Sequence, residues 1–209
     1  MSVNLDSPKR RQARPRQALR SQLREAVRAS ILDAAEELIA AKGLHGAGLA
    51  QIAKKADIAV GTLYNYFEDR DAMVRALFES RRALVRPKVQ AALAAGVGLP
   101  FEPRLRTFMR QLFGVFEEHR RYIKVVFEAE HLKPTGSHVD LIAAIDEIVA
   151  AGLAEGVIAK ASVEPLSIAL AGALRTVLVR KSQSGDSFVD AADPIVTLLV
   201  DGARKRARP

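Results

Sequence analysis

Residues 59–67 read Ala-Val-Gly-Thr-Leu-Tyr-Asn-Tyr-Phe. Wound as a helix at about 100° per residue, the segment turns Val60, Leu63 and Phe67 to one side and Thr62, Asn65 and Tyr66 to the other, with Tyr64 on the border. Hydroxyl and amide groups on a short helix can hydrogen-bond base edges and phosphate oxygens in a DNA major groove, and Asn can pair with adenine. Gly61 has no side chain, so backbone there can approach another surface closely. Two of the chain's three tyrosines fall in this turn and a half. Arg70, just beyond, and the basic stretch at the N-terminus could hold phosphates and supply a salt-dependent part of the affinity. The same pattern also suits a helical hairpin packed in a core, with Tyr64 and Tyr66 covering it.

Positioning these side chains needs a scaffold, and the flanking periodicity supplies one. Leu49, Ile52, Ala53 and Ala56 mark a short amphipathic helix over 48–56, and Val60, Leu63 and Phe67 mark a second over 59–67. The tight link between them predicts a helix-turn-helix. Upstream, Leu23, Val27, Ile31, Ala34, Ala35, Leu38 and Ile39 predict a helix over about 21–42, with Gly43 where a C-cap belongs. Downstream, Asp69 is a good N-cap for a long helix whose buried stripe is Met73, Ala76, Leu77, Leu84 and Val85, and which Pro87 should kink or end.

Beyond that, helical spacing recurs around Leu105–Phe116, Tyr122–Phe127, Leu141–Val149, Ile168–Leu178 and Ile195–Leu199, broken by a turn at Lys133-Pro134-Thr135-Gly136 and a loop at 182–186. No period-2 strand is visible, and the chain reads as all-α.

The formal charge of the 209 residues is +8. Residues 1–86 hold 16 Lys/Arg against 10 Asp/Glu, residues 87–203 hold 12 against 14, and Arg204, Lys205, Arg206 and Arg208 close the chain. A basic excess confined to the ends points to a polyanion: nucleic acid, or an anionic membrane. Residues 1–20, with Lys9, Arg10, Arg11, Arg14, Arg16 and Arg20 and almost nothing apolar after Leu5, are expected to be a flexible basic arm. There is no cysteine, no run of 18 apolar residues and no secretory signal, which fits a cytoplasmic protein away from membranes.

Five of the eight phenylalanines lie within 101–127: Phe101, Phe108, Phe113, Phe116 and Phe127. Such a concentration makes either plain core or an aromatic-lined cavity between helices. His119, Tyr122, Glu128, His131 and Arg175 are polar groups that could orient a ligand there. Enzymatic patterns are lacking. His45, His119, His131 and His138 make no zinc-type spacing, the acidic pairs 117–118 and 128/130 come with a single Glu-x-x-His spacing (Glu128–His131) where a di-iron bundle needs two, and no Gly-x-Ser-x-Gly or phosphate-binding Gly loop occurs. Neither a metal nor a cofactor is expected. A second reading stays open on the residues alone: an all-helical small-molecule-binding protein or enzyme whose basic ends contact membrane or RNA.

The run Ile52-Ala53, Ala56-Asp57-Ile58-Ala59-Val60-Gly61-Thr62-Leu63-Tyr64-Asn65-Tyr66-Phe67, then Arg70-Asp71-Ala72-Met73, resembles the DNA-binding domain of TetR/AcrR-type transcriptional regulators over about residues 21–80. The resemblance implies a helix-turn-helix domain over 21–68 and a helical effector-binding and dimerisation domain over 69–209. It implies that Val60, Gly61, Thr62, Tyr64 and Asn65 face bases and adjoining backbone. Tyr66, Arg70 and Gln51 or Ala50 would hold phosphates, and Leu63 and Phe67 would be core. It also implies a homodimer through the last two helices, about 163–182 and 187–204, on a palindromic double-stranded DNA operator, with a small hydrophobic effector releasing it as a repressor. Phe108, Phe113, Phe116, His119, Tyr122, Phe127, His131 and Arg175 are the candidate effector contacts.

Three positions depart from the family pattern: Gly48 where a capping Thr is usual, Asp57 in place of a turn Gly, and Ala59 in place of a capping Ser. Asp tolerates a left-handed backbone better than most residues, whereas Ala at an N-cap forgoes about 1 kcal/mol.

Overall fold

Apolar residues at three- and four-residue spacing, with no alternating runs, give a chain that is all-α. The computed structural model describes residues 8–129, 132 and 139–204. The expected turn at 133–136, His131, His138 and the tail residues Lys205, Arg206 and Arg208 lie outside the described residues. The chain forms two compact units that part between Leu77 and Phe78.

In the first unit, α1 (Pro8–Gly46), α2 (Leu49–Lys55), α3 (Val60–Tyr64) and the opening turns of α4 (Arg70–Ala94) enclose a core. Ile31, Ala35, Ile39, Ile52, Ala53, Leu63, Met73 and Leu77 are inaccessible to solvent. Gly43 breaks α1 with φ 75°, a conformation that costs glycine nothing and strains other residues. The Asp69 carboxylate accepts a hydrogen bond from the Ala72 N–H at 2.6 Å, so it caps α4 as expected.

Two sequence expectations fail here. The basic stretch expected to be a flexible arm is helical from Pro8 onward. Gln, Ala, Leu and Arg dominate residues 16–24, and these are strong helix formers. The helix extends α1 without burial, since residues 16–26, Leu23 included, are all exposed. Nor does Pro87 end α4, which runs through it to Ala94. A mid-helix proline sacrifices one hydrogen bond, but Val85 is buried and Val89 and Leu93 pack against the core, holding the helix on. Leu84, expected in the buried stripe, is exposed.

In the second unit, α5 (Phe101–Glu118) packs on α9 (Ala192–Ala203) and α7 (Val139–Ala154). In turn, α8 (Val163–Ser184) packs on α6 (Arg120–Glu128), α7 and α9. Phe101, Leu105, Phe108, Leu112, Phe113, Val149, Leu170, Phe188, Val196 and Val200 form the centre of its core. The stretch Lys160–Ser184 is, among the described residues, the one long and apolar enough by length and composition to cross a membrane. The sequence shows no uninterrupted apolar run of that length. The helix passes on average composition only, and Leu166, Leu170, Leu174 and Leu178 bury one face of it in the bundle.

Candidate nucleic-acid interface and effector cavity

The link between α2 and α3 turns on Asp57, whose φ of 56° lies in the left-handed region. The side chain in place of glycine is tolerated there, as expected. Neither Gly48 ahead of α2 nor Ala59 ahead of α3 supplies a side-chain cap. The first turn of α3 is held by backbone alone, with the Ala59 carbonyl accepting from Thr62 N–H at 2.9 Å and from Leu63 N–H at 3.3 Å.

On α3 only Leu63 is buried. Val60 is 39% and Tyr64 52% exposed. Gly61 and Asn65 are exposed, and Thr62 is half-buried. Periodicity alone had turned Val60 inward. It lies outward because it sits in the first turn, where no element packs over it; the resemblance had placed it so. A Cβ built at Gly61 meets nothing within 4 Å. The result is a flat outer face, Val60-Gly61-Tyr64-Asn65, with no bulky side chain over its centre.

The flanking residues are already engaged. Gln51 accepts a hydrogen bond from Lys42 Nζ at 2.9 Å, and Ala50 beside it is exposed. Arg70 Nη2 donates to the Ala47 carbonyl at 3.1 Å, tying the start of α4 to the backbone just before α2. Tyr66 is half-buried, with the Arg24 guanidinium 5.8 Å from its ring centre, and Arg28 lies 5.5 Å from the ring of Phe67. Arg24, Arg28 and Lys42 were not singled out in the sequence. The signal that finds the two arginines is the four-residue spacing Arg16, Arg20, Arg24, Arg28; none marks Lys42.

In the second unit a cavity of about 1290 Å³ opens between α4, the end of α5, α6, α7 and α8. Phe116, Tyr122, Phe127 and Arg175 line it. Arg175 lies 5.5 Å from the Phe127 ring centre, and Tyr122 meets Phe78 edge-on at 6.2 Å. Phe108, Phe113 and His119 do not line it. Phe108 and Phe113 project from the face of α5 that packs into the bundle core, and His119 sits at the α5–α6 junction.

A family model for bacterial regulatory proteins of the tetR family matches residues 31–77. This stretch is similar to the DNA-binding domain of tetR-family regulators. Over 51 residues the chain is 41% identical to the fatty acid metabolism regulator protein of Bacillus subtilis, covering 24% of this chain and 26% of that protein. Across the curated relatives it matches, the alignments span about a quarter to a half of their length. Structural likeness runs further. A TetR-like transcriptional regulator from Rhodococcus sp. RHA1 superposes with a TM-score of 0.68 at 25% identity, covering 84% of this chain and 94% of that one. FadR from Bacillus subtilis, in complex with stearoyl-CoA, superposes with a TM-score of 0.63 at 20% identity, covering 83% and 98%.

Most of the cavity wall was missed in the sequence. Phe78, Arg82, Val85, Arg86, Val89 and Leu93 form its α4 side. Ending α4 at Pro87 hid the last two; carrying the Val85, Val89, Leu93 spacing across the proline would have found them. Ile142 and Ile168, assigned to core stripes, are 50% and 65% exposed and line the cavity instead.

Proposed function

We propose that this chain is a ligand-responsive transcriptional repressor of the cytoplasm. Two copies pair and place their α3 segments in successive major grooves of a palindromic double-stranded DNA operator, about 34–36 Å apart. The observation that carries the reading is the outer face of α3: exposed Val60, Gly61, Tyr64 and Asn65 on a helix held by one buried residue. Thr62, Tyr64 and Asn65 read base edges, and Ala50, Gln51, Tyr66 and Arg70 serve the phosphates. Arg70 does so chiefly as a strut, its Nη2 being committed to Ala47.

Pairing falls to α8 and α9. Ala169 and Ala173 on α8 are half-buried, and Leu198 is 74% exposed on the same outer face as Gly202. Small residues allow helices to approach, and an exposed leucine offers apolar area to a partner. The two-fold symmetry of such a pair matches a palindrome.

The effector enters the cavity of the second unit. Phe116, Tyr122 and Phe127 offer apolar contact, while Arg82, Arg86 and Arg175 line the same space, with Asp146 and Glu164 on the α7 and α8 walls. A molecule with a long apolar part and an anionic group fits that lining. Stearoyl-CoA, held by the similarly folded FadR, is of this class. Release requires the effector to prefer the state that does not bind DNA. A coupling of about 1–3 kcal/mol weakens operator binding some 5–150-fold.

A gel shift on the duplex upstream of the chain's own coding region tests the reading. A specific band from a folded dimer, weakened by Asn65→Ala and Tyr66→Ala, is expected. No specific band at any salt concentration, or binding indifferent to both variants, favours instead a helical binding protein or enzyme that uses its basic ends on membrane or RNA.

A further inference from the structure

The N-terminal length of α1 is a solvated helix with an ordered charge pattern. Arg16, Arg20, Arg24 and Arg28 recur at every fourth residue, so they fall within an arc of about 120° and climb about 18 Å along the axis. That arc is the one along which Ile31 and Ala35 are buried in the first unit's core. Arg24 and Arg28 contact consecutive aromatic residues, Tyr66 and Phe67, at the C-terminal end of the α3 segment. Among the described residues no carboxylate pairs with any of the four. Glu25, the one acidic residue in this length, lies about 100° off Arg24 and about 60° off Arg28 around the helix, and pairs with neither. Arg16 and Arg20 are exposed. Four like charges in a row repel one another and persist at a helix surface most readily when a polyanion answers them.

We propose that this row is a second DNA-contacting element, in which Arg16 and Arg20 hold phosphates of the duplex flanking the operator half-site read by α3. The proposal rests on the repressor reading and extends it. Arg24 and Arg28, stacked on Tyr66 and Phe67, fix the helix against the recognition segment, so the row starts where the groove contacts end. An axial run of about 18 Å spans the rise of roughly five base pairs at ~3.4 Å each. The contacts go to backbone, so they add affinity and salt dependence without sequence preference.

The probe is a duplex that the wild-type full-length chain enriches from a random-sequence pool, prepared once with long flanks and once trimmed to the palindrome. Binding of wild type and of the double variant R16Q/R20Q is measured by fluorescence anisotropy between roughly 50 and 200 mM salt. On the flanked duplex the variant's salt slope is expected to fall by about 1.8 per protomer, at ~0.9 per lost phosphate contact. On the trimmed duplex the two proteins converge. Circular dichroism and the melting temperature, both unchanged, show that the variant folds. An unchanged slope on the flanked duplex overturns the proposal, as does a loss that persists on the trimmed one. Binding to phosphatidylglycerol vesicles that falls in the variant while DNA binding holds also overturns it, and assigns the row to a membrane surface. Failure of the wild-type chain to enrich any duplex sinks the repressor reading itself, a result distinct from all of these.

Discussion

The two units carry their candidate functional residues in opposite ways. In the first, the outer face of α3 is drawn from residues within one six-residue stretch: Val60, Gly61, Tyr64 and Asn65. In the second, the cavity wall is gathered from positions between Phe78 and Leu178 on five helices. A groove-reading helix must present adjacent side chains to adjacent bases, so its chemistry is contiguous in sequence. A cavity needs only that helices leave space between them, and the residues around it share a place in the bundle rather than a place in the chain.

The largest expected effect lies in the second unit. Phe113 is fully buried in the core and does not line the cavity. Phe113→Ala should cost about 3–5 kcal/mol of stability in urea unfolding. Phe127→Ala, at the cavity wall and half-buried, should cost much less and chiefly weaken effector response. Equal losses in the two variants would erase the distinction between core and cavity drawn here.

In the first unit the contrast reverses, with function lost and stability kept. Asn65 is exposed and Tyr64 half in solvent, at 52%. Asn65→Ala or Tyr64→Ala should each weaken operator binding by about 1–3 kcal/mol while leaving the melting temperature in place. Asn65→Ala should also relax sequence preference at one position. A melting temperature that falls in step with affinity would show that these side chains serve the fold.

This difference explains what could be read from the sequence. Helices α2 and α3, their turn on Asp57, the Asp69 cap and the buried pair Leu63 and Phe67 follow from local spacing and capping chemistry, and all are present. The errors fall where tertiary context or solvation overrides a local rule. Pro87 stays helical because Val85, Val89 and Leu93 pack around it. The basic stretch after Pro8 is helical because its residues favour a helix without needing burial. Phe108 and Phe113 carry the same apolar rings as Phe116 and Phe127. Which of the four border open space depends on where α4 and α8 run, and composition holds no record of that.

A smaller effect probes how the end of α5 is braced. Partial burial works to raise the Glu117 carboxyl, but the N–H groups of Phe188 at 2.8 Å and Val189 at 3.4 Å, the Ser187 hydroxyl at 3.1 Å and Arg120 outweigh it. Its pKa is held below the ordinary carboxylate value. A carboxyl depressed in the folded state adds stability that is complete above its unfolded pKa, about 4.3, and lost as pH falls through the folded value. With its side chain 35% exposed, the screened contribution is about 1 kcal/mol at neutral pH. Glu117→Gln should remove it and flatten the acid limb of a stability–pH curve taken from urea midpoints. An acid limb identical to wild type would show that the brace carries no net stability.

The smallest change is the sharpest test of the comparison. Gly61 sits inside a helix with no positive φ, and a methyl group there would touch nothing. Nothing within the described residues requires glycine, and glycine in a helix costs roughly 0.5–1 kcal/mol against alanine. Gly61→Ala should therefore stabilise the protein by up to about that amount in urea unfolding. On the proposed reading, the glycine answers to the duplex that α3 approaches. The same methyl group should weaken operator binding, so stability and affinity move in opposite directions in one variant. A core position cannot behave this way, because there the packing that a side chain disturbs is the protein's own. If Gly61→Ala gains stability and binds the operator as tightly as wild type, α3 does not approach the duplex at this residue, and the outer face of the helix needs another orientation in the groove.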